Sequence, residues 1–73
     1  DWLQGLQAEA AQRLASGEAN VWDHVIHRVE SQLIRAALAS TRGRRIEAAQ
    51  KLGIGRNTIT RKIQELGIGD APE

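Results

Sequence analysis

Residues 44–68, which read RRIEAAQKLGIGRNTITRKIQELGI, decide the fold of this chain. They predict two short helices, over 44–52 and 56–66, because both segments are rich in helix-forming residues. Only Gly53-Ile54-Gly55 separates the two segments. A connection this short favours two helices that cross at a steep angle, which is the arrangement of a helix-turn-helix.

The packing demands of that motif are met at fixed spacing. Ala49 supplies a small residue where the second helix crosses the first, and Gly53 supplies the positive φ of the turn. We expect Ile54 to plug the core, and Ile59 and Ile63 to line the inner face of the second helix one turn apart. The residues expected to close this core are Leu52, Leu66 and Ile68.

The outward face of the second helix carries polar side chains. When Ile59 is set as inward, helical phase points Asn57 and Arg61 away from the core, with Gln64 beside them. Arg and Asn are the side chains that bind guanine and adenine edges bidentately in the major groove of DNA. We therefore predict base reading by Arg56, Asn57, Thr58, Thr60 and Arg61.

Positive charge is concentrated in the same half of the chain. Residues 1–41 carry three arginines against five acids, whereas 42–62 carry seven basic residues against one acid. Such a block is typical of nucleic-acid contacts, and a solvated helix face is the plain alternative. Arginines at predicted helix starts oppose the helix dipole, a conflict that a bound phosphate would resolve. The predicted phosphate contacts are Arg42, Arg44, Arg45 and Lys62.

Residues 1–41 predict two longer helices. The first spans 2–15 after Asp1 as N-cap, and the second spans 21–41 after Asn20. One apolar stripe of the second helix should face the first helix and a partner chain, and a second stripe, begun by Ile34 and Leu38, should face the C-terminal unit. The first stripe comprises Trp22, Val25, Ile26, Val29, Leu33, Ala36 and Ala37.

The apolar content is thin for an independent domain. Eleven of the thirty hydrophobic residues are alanine, so we expect a second chain to complete the core. The predicted organisation is all-α, with dimerisation helices over 1–41, the helix-turn-helix over 42–68 and a disordered tail over 69–73. The predicted dimer interface is Leu6, Leu14, Trp22, Val25, Ile26, Val29 and Leu33.

Several chemistries are disfavoured. The chain has no cysteine, which excludes disulfide scaffolds, thiol catalysis and Fe–S clusters. His24 and His27 have a spacing that can hold a metal, but no further His or Cys joins them, so we predict no metal and no cofactor. No catalytic triad, dinucleotide or Walker pattern is present, and we predict no enzymatic activity. No apolar run could span a membrane and no signal peptide is visible, so we expect a cytoplasmic protein.

The motif residues also resemble those of a known family. Arg42-Gly43, Glu47-Ala48-Ala49, the run 52–62 and Glu65-Leu66-Gly67 together resemble the Fis-type helix-turn-helix. The run 55–62, GRNTITRK, is most similar to the C-terminal DNA-binding domain of NtrC-type nitrogen regulators. The resemblance is good over 29–68 and weaker over 1–28. Arg44 departs from it, since relatives commonly carry Asn or another helix-starting polar residue there, so we expect the cap at Gly43.

The resemblance implies a four-helix, homodimeric domain in which the first two helices of each chain form a four-helix bundle. It implies a parent enhancer-binding activator of nitrogen regulation. A two-fold dimer presents two copies of the second motif helix, so we expect its DNA site to be an inverted repeat. Such a parent carries receiver and ATPase domains upstream, belongs to a two-component system and works with the nitrogen-type alternative sigma factor. The absence of methionine and the start at Asp1 also favour a piece of a longer chain. Two alternatives stay open: a stand-alone Fis-like nucleoid protein that bends DNA, and a helical protein-interaction module.

Overall fold

The computed structural model of this protein describes residues 1–68. Over that range the chain forms four α-helices and no strand: α1 (Trp2–Ala15), α2 (Val21–Ser40), α3 (Arg45–Leu52) and α4 (Arg56–Leu66). The predicted all-α fold with a C-terminal helix-turn-helix is confirmed. None of these helices has the length and apolarity needed to cross a membrane. The tail that we predicted to be disordered, 69–73, lies outside the described residues.

The N-caps predicted from the sequence are only partly confirmed by the structure. The Asp1 carboxylate accepts a hydrogen bond from the backbone N–H of Gln4 at 2.9 Å, as its N-cap position predicts. Asn20 precedes α2 as expected, but it has a left-handed backbone (φ 60°) and makes no side-chain cap bond. The expected cap at Gly43 is wrong. Arg44 is the N-cap of α3, because Gly43 has a left-handed φ of 82° and belongs to the turn that closes α2.

One apolar core joins α2, α3 and α4. Ile59 is fully buried at its centre, and the predicted contributions of Ala49 and Ile63 are confirmed. Ala48, which the sequence interpretation did not place, is also fully buried. The complete set is Ile34, Ala37, Leu38, Ala48, Ala49, Ile59, Ile63 and Ile68, with Leu52 and Leu66 partly buried around it.

Two expectations about the core are wrong. Ile54, predicted to plug it, remains 36% exposed because it lies in the turn between α3 and α4, whereas Ile68 is buried as predicted. Ala37, assigned to the stripe that faces α1 and a partner, instead packs with Ile34 in the C-terminal core. It lies between the two stripes of α2, so helical phase alone does not decide which neighbour covers it.

The N-terminal helix is loosely covered. Within the described chain α1 contacts only α2, and none of its residues is buried. Trp22 at the start of α2 is 75% exposed. Five large apolar side chains of these two helices are exposed to solvent in the single chain: Trp2, Leu3, Leu14, Trp22 and Leu33.

Candidate nucleic-acid interface

The turn between α3 and α4 holds the candidate interface in place. The carbonyl oxygen of Ala49 accepts hydrogen bonds from the backbone N–H groups of Gly53 (2.9 Å) and Ile54 (3.0 Å). Gly53 has a φ of 79°, the left-handed backbone that the sequence predicted there. Gly55 is then extended (φ −73°, ψ 153°) and is the N-cap of α4, so three residues turn the chain from one helix into the next.

The outward face of α4 is polar, as helical phase predicted. Asn57, Thr60, Arg61 and Gln64 are exposed, and so is Arg56 in the first turn. Thr58 is half-buried. Because Ile59 and Ile63 anchor the opposite face in the core, these polar side chains form one rigid, solvent-facing surface.

The exposed Thr60 side chain has already used its hydroxyl proton in a hydrogen bond within α4. Its hydroxyl lies 3.0 Å from the carbonyl oxygen of Arg56 and donates to it within the helix. The side chain therefore offers a partner its methyl group and the hydroxyl lone pairs. A threonine methyl is suited to contact with the methyl group of thymine.

Arg61 and Arg44 occupy similar surroundings. Arg61 Nε lies 3.9 Å from Oε2 of Glu65, and Arg44 Nη1 lies 3.7 Å from Oε1 of Glu47. Their side chains are 64% and 68% exposed. Exposed ion pairs of this kind contribute at most about 1 kcal/mol, so an incoming phosphate or base can replace the glutamate at little cost.

Arg42 is exposed in a left-handed conformation, with a φ of 56°. A residue other than glycine costs on the order of 1 kcal/mol there. The hydrogen bond from the Gly43 N–H to the Leu38 carbonyl oxygen, at 2.8 Å, closes the same turn. The turn thus presents an arginine to solvent, two residues before Arg44, at a conformational cost that glycine would avoid.

Two of the predicted phosphate contacts are less accessible. Arg45 is half-buried. Lys62 has a side chain only 25% exposed, and its Nζ lies 3.1 Å from Oε2 of Glu30 on α2. The structure thus brings Arg42, Arg44, Arg56 and Arg61 to the surface and directs Lys62 toward α2. Helical phase could have indicated this, since Lys62 lies only about 60° from the direction of Ile59.

Comparison with known proteins places this arrangement in a family. Residues 26–66 match the family described as bacterial regulatory protein, Fis family. This chain belongs to the Fis family. The resemblance read from the motif residues is therefore confirmed, and the matched range contains α3, α4 and most of α2.

The relatives of this Fis-family chain are transcriptional regulators. It is 44% identical to the DNA-binding transcriptional regulator NtrC of Proteus hauseri over 69 residues, or 94% of this chain and 15% of that protein. It is 42% identical to NtrC of Escherichia coli (strain K12) over 67 residues, or 92% of this chain and 14% of that protein. NtrC of Rhizobium meliloti is 48% identical over 50 residues, or 68% of this chain and 10% of that protein. The chain thus spans a small fraction of each relative's length. No solved structure matches it.

Four of the seven predicted dimer residues of this Fis-family chain line one groove, and the other three lie outside it. Leu6, Val25, Val29 and Leu33 line an open groove between α1 and α2. Ala36 and the C-terminal end of α4, at Leu66, extend the same groove. The other three predicted residues, Leu14, Trp22 and Ile26, do not line it.

A polar network that sequence reasoning missed ties α1 to α2. Glu9 on α1 accepts hydrogen bonds from Arg13 on its own helix and from Arg28 on α2. Desolvation raises the pKa of Glu9, but these hydrogen bonds and the positive charges of the two arginines together leave that pKa below its ordinary value. Next to it, hydrogen bonds with His24 (2.6 Å) and Arg13 (2.7 Å) lower the pKa of Glu18. Acids of α1 and the following loop thus meet cations on both helices, a pattern detectable only once the helices are placed.

The two histidines considered as metal ligands are exposed. His24 lies against Glu18. Among residues 1–68 no three His, Cys, Asp or Glu side chains come together in a way that could hold a metal ion.

Proposed function

We propose that this chain is a sequence-specific DNA-binding domain whose α4 lies in the major groove. The observation that carries the proposal is the exposed polar face of α4, opposite the buried Ile59 and Ile63. A helix of this kind reads base edges through a few long polar side chains. The proposed base-reading residues are Arg56, Asn57, Thr58, Thr60 and Arg61.

The proposed phosphate contacts lie before and at the start of α3, the first helix of the helix-turn-helix. Arg42 and Arg44 are exposed in the turn and cap that precede α3, and Arg45 begins α3 itself. Cations at these positions would fix the register of α4 on the duplex without reading sequence. Lys62 is not included, because its ammonium group is paired with Glu30.

We further propose that two chains pair through α1 and α2. The groove lined by Leu6, Val25, Val29 and Leu33 is open, with charged side chains such as Arg28 and Arg35 also lining it, and Leu33 is 54% exposed in the single chain. A second copy would cover these side chains and the exposed Leu14 and Trp22. A two-fold dimer presents two α4 helices, so its DNA site would be an inverted repeat with half-sites about one helical turn, or a multiple of it, apart.

The relatives support a proposal about the parent protein. Proteins named as the transcriptional regulator NtrC share 42% to 48% identity with this chain, which spans only 10% to 15% of their length. We propose that the chain serves as the DNA-binding part of a cytoplasmic enhancer-binding activator of nitrogen regulation. Receiver and ATPase domains elsewhere in the parent, and the nitrogen-type alternative sigma factor, would complete its action.

Selection of bound duplexes from a random-sequence pool tests DNA binding. We expect enrichment of an inverted repeat, and affinity that falls steeply with salt because phosphate contacts release counterions. A pool that stays random after selection, or affinity insensitive to salt, would overturn the proposal.

Sedimentation equilibrium tests the dimer, with an expected mass twice the 8.0 kDa of the chain. Leu33→Glu should shift the protein to monomer. Ile46→Glu is the matched control, since Ile46 on α3 is 56% exposed and lies outside the groove. A monomeric wild-type chain, or equal behaviour of the two variants, would contradict the proposed interface.

A further inference from the structure

Lys62 and Glu30 form an ion pair that joins the candidate recognition helix to the candidate dimerisation helix. Lys62 Nζ lies 3.1 Å from Oε2 of Glu30, although the two residues are 32 positions apart in sequence. Their side chains are only 25% and 27% exposed. This pair is therefore better shielded from solvent than the pairs that Arg44 and Arg61 make with glutamates on their own helices.

The pair also extends to a residue proposed to read bases. Lys62 Nζ lies 3.8 Å from Oε1 of Glu65, and Oε2 of the same Glu65 lies 3.9 Å from Nε of Arg61. Charges of alternating sign therefore run from α2 to the outward face of α4. The apolar contacts of Ile59 and Ile63 hold α4 against the core, and the ion pair adds a directional contact between α4 and α2 outside that core.

We infer that Lys62 and Glu30 are positioning residues, which set the orientation of α4 relative to α2 so that the two recognition helices of a dimer meet their half-sites in register. The inference rests on the proposed function. It differs from a phosphate-binding role for Lys62, because in that role Glu30 would only weaken the attraction to DNA. Under the positioning role, loss of either partner harms binding in the same way.

The test uses the duplex that the wild-type chain selects from a random pool, a series in which the spacing between half-sites is varied, and a duplex with one half-site. Glu30→Gln and Lys62→Met each remove one charge and keep most of the side-chain volume. Glu47→Gln is the matched control, since it removes an acid of the helix-turn-helix that pairs with Arg44 at the surface. Circular dichroism and sedimentation check that every variant keeps its fold and its assembly state.

We expect wild type to prefer one spacing and both charge-removing variants to lose that preference, with affinity at the best spacing reduced by about three- to tenfold. Affinity for the single half-site should stay unchanged in Glu30→Gln, and the Glu30→Lys, Lys62→Glu exchange should restore the spacing preference. Glu47→Gln should keep the wild-type spacing profile.

The failures are distinguishable. A wild-type chain that shows no sequence or spacing preference would overturn the proposed function, and the inference with it. A normal wild-type profile that Glu30→Gln leaves intact would overturn the inference alone. So would tighter binding of Glu30→Gln on every duplex together with weaker binding of Lys62→Met, which is the signature of simple phosphate contact.

Discussion

The hydroxyl oxygen of Thr41 lies 3.1 Å from the carbonyl oxygen of Arg44 and 3.0 Å from that of Ala37. Thr41 is the C-cap of α2 and Arg44 the N-cap of α3, so one buried hydroxyl, which has a single proton to donate, lies between carbonyl oxygens on both sides of the turn that joins α2 to the helix-turn-helix. The direction in which α3 leaves α2, and with it the place of α4, depends on this short connection.

Thr41→Val keeps the shape of the side chain and removes its hydroxyl. We expect the free energy of unfolding to fall by about 1 kcal/mol, the usual contribution of one hydrogen bond. Ser40→Ala is the control, because the Ser40 hydroxyl bonds the same Ala37 carbonyl oxygen (2.9 Å) from an exposed position. Urea unfolding measures the free energy of each variant relative to wild type, and a Thr41→Val variant as stable as wild type would show that the Thr41 hydroxyl contributes nothing.

Arg61→Ala and Arg44→Ala should separate base reading from phosphate contact. The two arginines are almost equally exposed and pair with a glutamate at similar distances, so their loss should perturb the fold equally little. Arg61→Ala should cost about 1–3 kcal/mol on the selected duplex and relax preference at one base pair per half-site. Arg44→Ala should weaken binding to all duplexes alike and lower the slope of affinity against salt by about one per chain.

Titrations of both variants on selected and scrambled duplexes at two salt concentrations distinguish base reading from phosphate contact. The same fractional loss on both duplexes for Arg61→Ala would remove that residue from base reading.

Arg42→Gly should lower the affinity for DNA without lowering the stability of the fold. Glycine adopts the left-handed conformation of this position, where φ is 56°, without steric cost, so the free energy of unfolding should stay the same or rise by up to about 1 kcal/mol. Affinity for DNA should fall equally on every sequence, because the lost contact is to phosphate. Thermal unfolding and a binding titration measure the two effects. Unchanged affinity would mean that the arginine at this turn has no part in binding.

The acids between α1 and α2 should make stability depend on pH. The pKa values of Glu9 and Glu18 are lowered in the folded chain, so these groups stabilise it above the ordinary glutamate pKa, and that stabilisation is lost as pH falls through the lower folded values. The thermal midpoint should therefore drop between about pH 5 and pH 3. The Glu9→Gln, Glu18→Gln double variant should start lower at neutral pH and drop less over this window. Parallel curves for the two proteins would show that other carboxylates are responsible.

Much of the fold could be predicted from the sequence because the signals are local. The bounds of α1 and α4 follow from an N-cap, helix-forming residues and flanking glycines, all within a few residues of each helix end. The left-handed Gly53 and the buried Ile59 follow from turn chemistry and from helical period. The exposed face of Asn57 and Arg61 lies opposite the buried face of the same helix, so that part of the candidate site could be predicted from the sequence.

What only the tertiary structure decided depends on neighbours distant in sequence. The sequence predicts Lys62 to be a phosphate contact within a basic block, yet its ammonium group forms an ion pair with Glu30 on α2. Ala37 lies between two stripes of α2, and the packing of α3 and α4 determines that it joins the C-terminal core. Turn chemistry predicts Ile54 in the core, yet it remains 36% exposed in the folded chain. Period and propensity specify which way a side chain points along its own helix, whereas its partner depends on how separate helices pack, and that is a property of the whole fold.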